Sequence, residues 1–427
     1  MKIFLDSVGC RLNISEIEQT ARLMQVAGWD IVFSPEEADL ILINTCSVTA
    51  KAGADSRQKI RQANRRSNAP IMVTGCWSTL SPEDAAELPG VAAVIPNRDK
   101  DSLVEHLLQA SRPTTADVQT WLQANQPARL RTRSFVKVQD GCNNRCAYCV
   151  TTLARGASRS MPIESILADI HAAEREGVQE VVLSGVHLGM WGRDLSPDEN
   201  LTTLLRRLLA RTAVPRIHLS SLEPWEIPEG LFDLWENPRL VRHVHMPLQS
   251  GSADTLRRMG RQVTPSRFEQ LAADIRARIP GLALTTDLIA GFPGETASHH
   301  RESVAFLRRL DFAGGHVFPY SERPGTAAAS LPNPVHHAER KARAAELRKV
   351  IVDSSRSFRE AFTGTVQSVL IIQSKHGRLQ GLTPNEIRVY TDGPEHLVNT
   401  IQRVELRVQV KSGFEGPILP PIENSRA

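Results

Sequence analysis

Short apolar runs alternate with amphipathic stretches along most of this chain, and their spacing predicts its architecture. Strand-like runs at 2–5, 40–43 and 71–73 alternate with helix-like stretches at 14–27 and about 52–64. This β-α-β-α-β rhythm predicts a parallel α/β sheet in a first domain, residues 1–111. Residues 112–131 are polar, contain two Pro and read as a linker. From 132 to 358 the rhythm returns, with strands at 135–138, 181–185, 216–220, 243–249 and 284–289 and helices at 163–176, 201–211, 266–278 and 301–310. Repeated βα units predict a parallel barrel whose chemistry sits at the carboxyl ends of its strands. Over 359–424 the pattern becomes short β runs, 366–373, 387–391 and 404–410, broken by Gly, Pro and Asn, which predicts a small β-barrel. The expected fold class is therefore α/β, multi-domain.

The cysteines turn this architecture toward chemistry. Cys142, Cys146 and Cys149 follow the first strand of the middle segment in a C-x3-C-x2-C run. Thiolates are soft anionic ligands for iron, and three of them on one loop can hold a cubane iron–sulfur cluster with one iron left open. Zinc sites more often pair C-x2-C with a second such pair or with histidines, and this chain has no second pair. The other cysteines, Cys10, Cys46 and Cys76, each lie just past a predicted strand, 36 and 30 residues apart. Parallel strands joined by helices end at one sheet edge, where open α/β sheets bind ligands. The upstream trio is thus expected to converge as a second three-cysteine cluster site. Buried packing cysteines are the plain alternative, but those have no reason to gather at strand ends.

Composition changes the picture little. With 427 residues, 41% hydrophobic and 23% charged, the chain can bury several cores, and its net charge of +4 tolerates a polyanionic partner without requiring one. No basic segment followed by an apolar stretch opens the sequence, and no window approaches the ~18 apolar residues of a membrane helix. A cytoplasmic enzyme with no membrane partner is expected, and disulfides are not.

Taken with its six cysteines, the three-segment order resembles the radical SAM methylthiotransferases over essentially the whole chain. The resemblance implies an auxiliary 4Fe-4S cluster on Cys10, Cys46 and Cys76 and a radical SAM partial (β/α)6 barrel with a second 4Fe-4S cluster on Cys142, Cys146 and Cys149. It also implies a terminal TRAM domain that contacts RNA. In such enzymes one S-adenosylmethionine (SAM) gives a methyl group to a sulfide at the auxiliary cluster. A second is cleaved reductively to a radical that activates a C–H bond. An external electron donor and a sulfur donor are implied as partners.

Further motifs fit SAM binding. The segment 287–295 resembles the glycine-containing turn near the adenine, with Gly291 and Gly294 letting backbone approach the ligand, while Ser184, Gly185, Ser220, Glu223 and Gln249 end strands and could bond SAM. As turn and cap residues they have an equal structural use. Tyr148 could shield the cluster or pack on adenine, and His243 and His245 read as core residues. The runs 141–149 and 154–160 are most similar to the branch that methylthiolates N6-threonylcarbamoyladenosine at position 37 of tRNA. The run 150–153, Val-Thr-Thr-Leu, departs from the usual Ile-Pro-containing pattern. Sister branches act on isopentenyladenosine in tRNA or on an aspartate of a ribosomal protein. From another class, an iron–sulfur RNA-binding or redox protein without SAM chemistry is the alternative. In the tail, Arg378, Arg388, Arg403, Arg407 and Lys411 are expected to meet tRNA phosphates, and 377–383 resembles a substrate-facing loop.

Overall fold

The computed structural model describes residues 1–108, 113–114, 117–118, 120–121 and 131–420, so most of the expected linker lies outside the described residues. Its first unit is a parallel sheet of β1 (Lys2–Ser7), β2 (Asp30–Val32), β3 (Leu40–Thr45), β4 (Ile71–Gly75) and β5 (Val91–Ile95), ordered β2-β1-β3-β4-β5. β2 and β5 have no fully buried apolar run, which is why the hydrophobic pattern did not reveal them. The central strand β3 reads as continuous apolar because both its faces are covered. Ile41 and Ile43 pack with Ile60, Val73 and Trp77 on one side, and Leu42 packs with Ile3, Met24 and Leu103 on the other. Ser7 pairs with Asn44 and Thr45 with Gly75, so the strands that precede the three upstream cysteines end at one edge.

The middle unit contains β6 (Arg133–Lys137), the small hairpin β7 (Gln139–Asp140) and β8 (Arg159–Ser160), then β9 (Glu180–Ser184), β10 (Arg216–Leu219), β11 (His243–His245), β12 (Ala283–Ala290) and β13 (Gly314–Pro319). Parallel pairings run β6-β9-β10 and β11-β12-β13, and bridges Ile217–Leu240 and Ser221–His245 join the two halves into an open barrel wall. The expected strand over 243–249 ends at His245, because Pro247 cannot donate to the ladder and Gln249 takes a left-handed φ of 74°. Sequence reading missed β13, which begins Gly-Gly, and the long charged helix His337–Glu360.

An open barrel leaves β6 as an edge strand. Helix Arg11–Val26 of the first unit covers it, and the Glu18 carboxylate accepts the Phe135 N–H at 3.0 Å. Burial pushes Glu18 up to about 7.

The tail contributes β14 (Val366–Lys375), β15 (Arg378–Leu382), β16 (Arg388–Thr391), β17 (Ile401–Glu405), β18 (Val408–Val410) and β19 (Gly413–Glu415). They form one sheet, β17-β14-β15-β16-β19-β18, curled into a half-barrel around Val369, Ile371, Leu379, Val404 and Phe414. The segment after β19 meets β17, where Leu419 N–H donates to Arg403 O at 2.8 Å. The half-barrel docks on the amino ends of the barrel strands. Arg216 at the start of β10 donates to Leu382 O at 3.0 Å and Ser368 O at 2.7 Å. Arg133 at the start of β6 meets Glu180 at 3.3 Å and Glu386 at 3.1 Å. Glu180, His218 and Glu386 bring metal-ligand-type atoms within 4.8 Å of one another. Guanidinium groups already face both carboxylates, which makes the trio an ion-pair joint rather than a cation cage. Residues 378–382, expected in a substrate-facing loop, are instead a strand of the half-barrel, with Gly381 tight against Val369 and Leu370. No described helix is long and apolar enough to cross a membrane.

Candidate functional site

Cys10, Cys46 and Cys76 lie just past β1, β3 and β4, on one edge of the first sheet. Cys10 is the N-cap of helix Arg11–Val26, a position whose unpaired N–H groups favour an anionic sulfur. Cys46 interacts electrostatically with both other sulfurs, and the Val48 and Cys10 N–H groups face it. Asn97 Nδ2 donates toward Cys76 Sγ at 3.6 Å. Gly9 has φ 100°, and a Cβ there would lie 2.3 Å from Cys46 Sγ, so only glycine lets these chains approach.

The second trio is shaped by the loop after β7. Gly141 has φ 68°, and a Cβ there would lie 1.9 Å from Ala157 O. Cys142 N–H donates to Gly156 O at 3.1 Å and Ala147 N–H to Met259 O at 2.9 Å, which pins both ends of the loop. The sulfurs receive donors of their own: Asn144 N–H on Cys142 and Thr151 N–H on Cys149, each at 3.4 Å, with Arg261 Nη1 4.0 Å from Cys146. All six cysteines are free thiols. Burial pushes Cys46 up to about 11 and Cys142 up to about 12, and Cys10 and Cys146 move the same way. These four thiols are therefore neutral when unligated, and binding iron must displace their protons. Two sets of three thiols, each set with N–H donors beside its sulfurs, fit iron–sulfur clusters, whose potentials depend on such hydrogen bonds.

The other expected site residues are placed as follows. Ser184 ends β9 with its Oγ on Val182 O at 3.3 Å, and Gly185 N–H donates to Ser220 Oγ at 3.3 Å. Glu223 forms a two-pronged ion pair with Arg261, at 2.9 and 2.6 Å, and Arg261 lies 4.3 Å over the Trp225 ring. Gln249 is held in the wall by backbone bonds to Asp287 and Ile289. Gly291 (φ 73°) and Gly294 (φ 80°) take left-handed backbone conformations that favour glycine, and a Cβ on Gly291 would also strike Arg340. Tyr148 packs with Met259, Phe292 and Tyr320 behind the cysteine loop. His243 bonds His218 at 2.8 Å and Thr285 at 2.9 Å, and His245 bonds Thr285 at 2.9 Å, so both are satisfied core histidines.

Sequence reasoning missed His187. Its Nδ1 is 3.7 Å from Cys142 Sγ, and its other nitrogen meets Glu226. Burial pulls His187 down to about 4 and pushes Glu226 up to about 7, so the imidazole beside the sulfur is neutral. It also missed a buried charge cluster between the two cysteine sets. Arg155 meets Glu16 at 2.9 Å and Asp140 at 2.8 Å, Lys100 meets Glu16 at 2.5 Å, and Lys137 meets Asp140 at 3.0 Å. Glu16 lies 84 positions from Lys100 and 139 from Arg155, and no periodicity marks these residues. Burial alone would raise Glu16, but the three cations hold it well below the usual carboxylate range. Glu16→Gln would leave three buried cations around Asp140. It is expected to destabilise the metal-free protein by about 3–5 kcal/mol in anaerobic denaturant unfolding, with Arg155→Met milder because it leaves the charges balanced.

Comparison with known proteins agrees with this geometry. Residues 136–307 match the Radical SAM superfamily and residues 2–96 match the family described as Uncharacterized protein family UPF0004. The chain is 31% identical to the threonylcarbamoyladenosine tRNA methylthiotransferase MtaB of Bacillus subtilis, over 98% of this chain and 96% of that one. It is 32% identical to the ribosomal protein uS12 methylthiotransferase RimO of Desulfotalea psychrophila, over 87% of each. Among solved structures it shares a fold, at TM-score 0.54 and 16% identity over 77% of each chain, with the radical SAM methyltransferase TsrM of Kitasatospora setae. The chain belongs to the radical SAM methylthiotransferases. Its cofactors are SAM and 4Fe-4S clusters, which sets aside the reading without SAM chemistry.

Proposed function

We propose that this enzyme converts N6-threonylcarbamoyladenosine 37 of tRNA to its 2-methylthio derivative in the cytoplasm. The supporting observation is near full-length similarity to a relative named for that substrate, together with the branch-like runs 141–149 and 154–160. In this reading Cys142, Cys146 and Cys149 hold the cluster that binds SAM, and Cys10, Cys46 and Cys76 hold the auxiliary one. An aromatic C–H is too inert for acid–base chemistry, so the cofactors supply the radical and the methylthio group. The chain's own residues do the rest. Ser184, Gly185, Ser220 and Gln249 line the carboxyl ends of the strands for SAM. Glu223 orients Arg261 toward Cys146. Gly291 and Gly294 shape the turn after β12.

The working division is 1–111 for the auxiliary cluster, 132–358 for SAM and 359–424 for RNA contacts. Phosphate contacts from the tail fall to Arg388 and Lys411, since Arg378 and Arg407 already pair with Glu415 and Glu405. The sulfur and electron donors are external partners. A second reading, a ribosomal-protein aspartate as substrate, is favoured by equal identity to the uS12 enzyme. Nucleoside mass spectrometry of tRNA from a strain lacking the gene tests the choice. Loss of 2-methylthio-N6-threonylcarbamoyladenosine alone is expected, and unchanged tRNA with an unmodified ribosomal protein would overturn it.

A further inference from the structure

Two cysteine sets that serve one reaction need a fixed spacing, and one short helix stands between them. Thr151–Arg155 begins two residues after Cys149 and is held at its start by the second cysteine loop. Thr151 N–H donates to Cys149 Sγ at 3.4 Å, and Thr152 Oγ1 donates to Cys142 O at 3.3 Å. The far end of the helix is held by the first unit. Arg155 Nη2 donates to Asn13 Oδ1 at 2.7 Å, and that oxygen lies 3.6 Å from Cys10 Sγ. Ala154 O accepts Asn97 Nδ2 at 2.8 Å, and the same nitrogen lies 3.6 Å from Cys76 Sγ.

Asn97 makes the tighter demand on geometry. It is buried just past β5, the last strand of the first sheet in chain order. Its backbone N–H donates to Thr79 Oγ1 at 2.9 Å, and Thr79 Oγ1 donates to Gly75 O, at the end of β4, at 2.7 Å. Its Oδ1 accepts Lys100 Nζ at 3.1 Å. An ammonium has only donors, so this contact fixes which end of the amide is oxygen and turns Nδ2 toward Cys76 and Ala154. One nitrogen with two hydrogens therefore spans both units. A buried amide is costly unless its groups are met, and a leucine of similar size would fill the same space. Packing alone gives no reason for asparagine here.

We infer that Asn97 is a positioning residue for the methylthio transfer, holding the upstream cysteine site at a set distance from the loop that binds SAM. The inference rests on the cysteine assignments above and not on the choice of substrate. The radical comes from one site and the sulfur from the other, and a misplacement of about 1 Å can cost about 100-fold in such a step. Losing the amide hydrogens should leave SAM cleavage running while transfer fails, so that cleavage and transfer uncouple. The N–H beside Cys76 also favours added negative charge on that sulfur, so losing it should lower the reduction potential of the upstream site.

The test uses the reconstituted full-length enzyme and its Asn97→Leu and Asn97→Asp variants. Leucine keeps the volume, and aspartate keeps the Lys100 contact while losing both amide hydrogens. Mass spectrometry counts 5′-deoxyadenosine and methylthio product, on tRNA and on a ribosomal-protein peptide, so that either substrate reports. The upstream potential is read by EPR-monitored titration of full-length chains that also carry Cys142→Ala, Cys146→Ala and Cys149→Ala. Both Asn97 variants are expected to keep about eight irons per chain. Their 5′-deoxyadenosine per product should rise about 10- to 100-fold, with a more negative upstream potential. Wild-type values of both readouts would overturn the assignment. Either change without the other would do so too, since the amide would then serve only one site. Loss of half the iron from both variants also overturns it, because Asn97 would then build the upstream site rather than place it. A Cys142→Ala, Cys146→Ala, Cys149→Ala chain that keeps all its iron instead refutes the cysteine assignments, and the inference with them.

Discussion

Replacing Cys142, Cys146 and Cys149 together by Ala is expected to abolish reductive SAM cleavage and to lower reconstituted iron from about eight to about four atoms per chain. The three thiols share one loop, pinned by Gly156, Met259 and the glycine at 141. Losing them removes every thiol of that loop while Tyr148 and Phe292 keep the backing core. Anaerobic iron analysis and measurement of 5′-deoxyadenosine under strong reductant check both halves of the statement. A triple variant that keeps its full iron would place the ligands elsewhere.

Replacing Cys10, Cys46 and Cys76 by Ala should give the complementary result. SAM cleavage stays measurable, iron again falls by about half, and methylthio product disappears. The reason is spatial. These thiols stand on the first sheet, whereas the C-x3-C-x2-C loop is built on β7 and braced by barrel residues. The two cysteine sets are bridged by the buried Arg155–Glu16 cluster and by the Asn97 side chain, which bonds both Cys76 Sγ and Ala154 O. Methylthio product from this variant would show that the upstream thiols serve the fold alone.

Much of this was legible because local rules carry it. Period-two and period-3.6 patterns mark β1, β3, β4 and the helices at 201–211 and 266–278 within a few residues. Strands such as β2, β5 and β13 were silent, being short or glycine-bearing and half exposed, so burial leaves no apolar signature in them. His187 could have been suspected from its place just past β9, but a lone histidine in sequence has no partner to name.

The sequence by itself determined the ligand chemistry and the order of the parts, because thiol spacing and strand periodicity are properties of adjacent residues. Only the tertiary structure decided which charges are spent. Glu223, a candidate SAM contact, is paired with Arg261, and two of the tail's four expected RNA-binding arginines, Arg378 and Arg407, are paired with neighbouring acids. Pairing depends on which side chains three dimensions bring within hydrogen-bond reach, and residues as distant as Glu16 and Arg155 meet only when the first sheet docks on the open edge of the barrel.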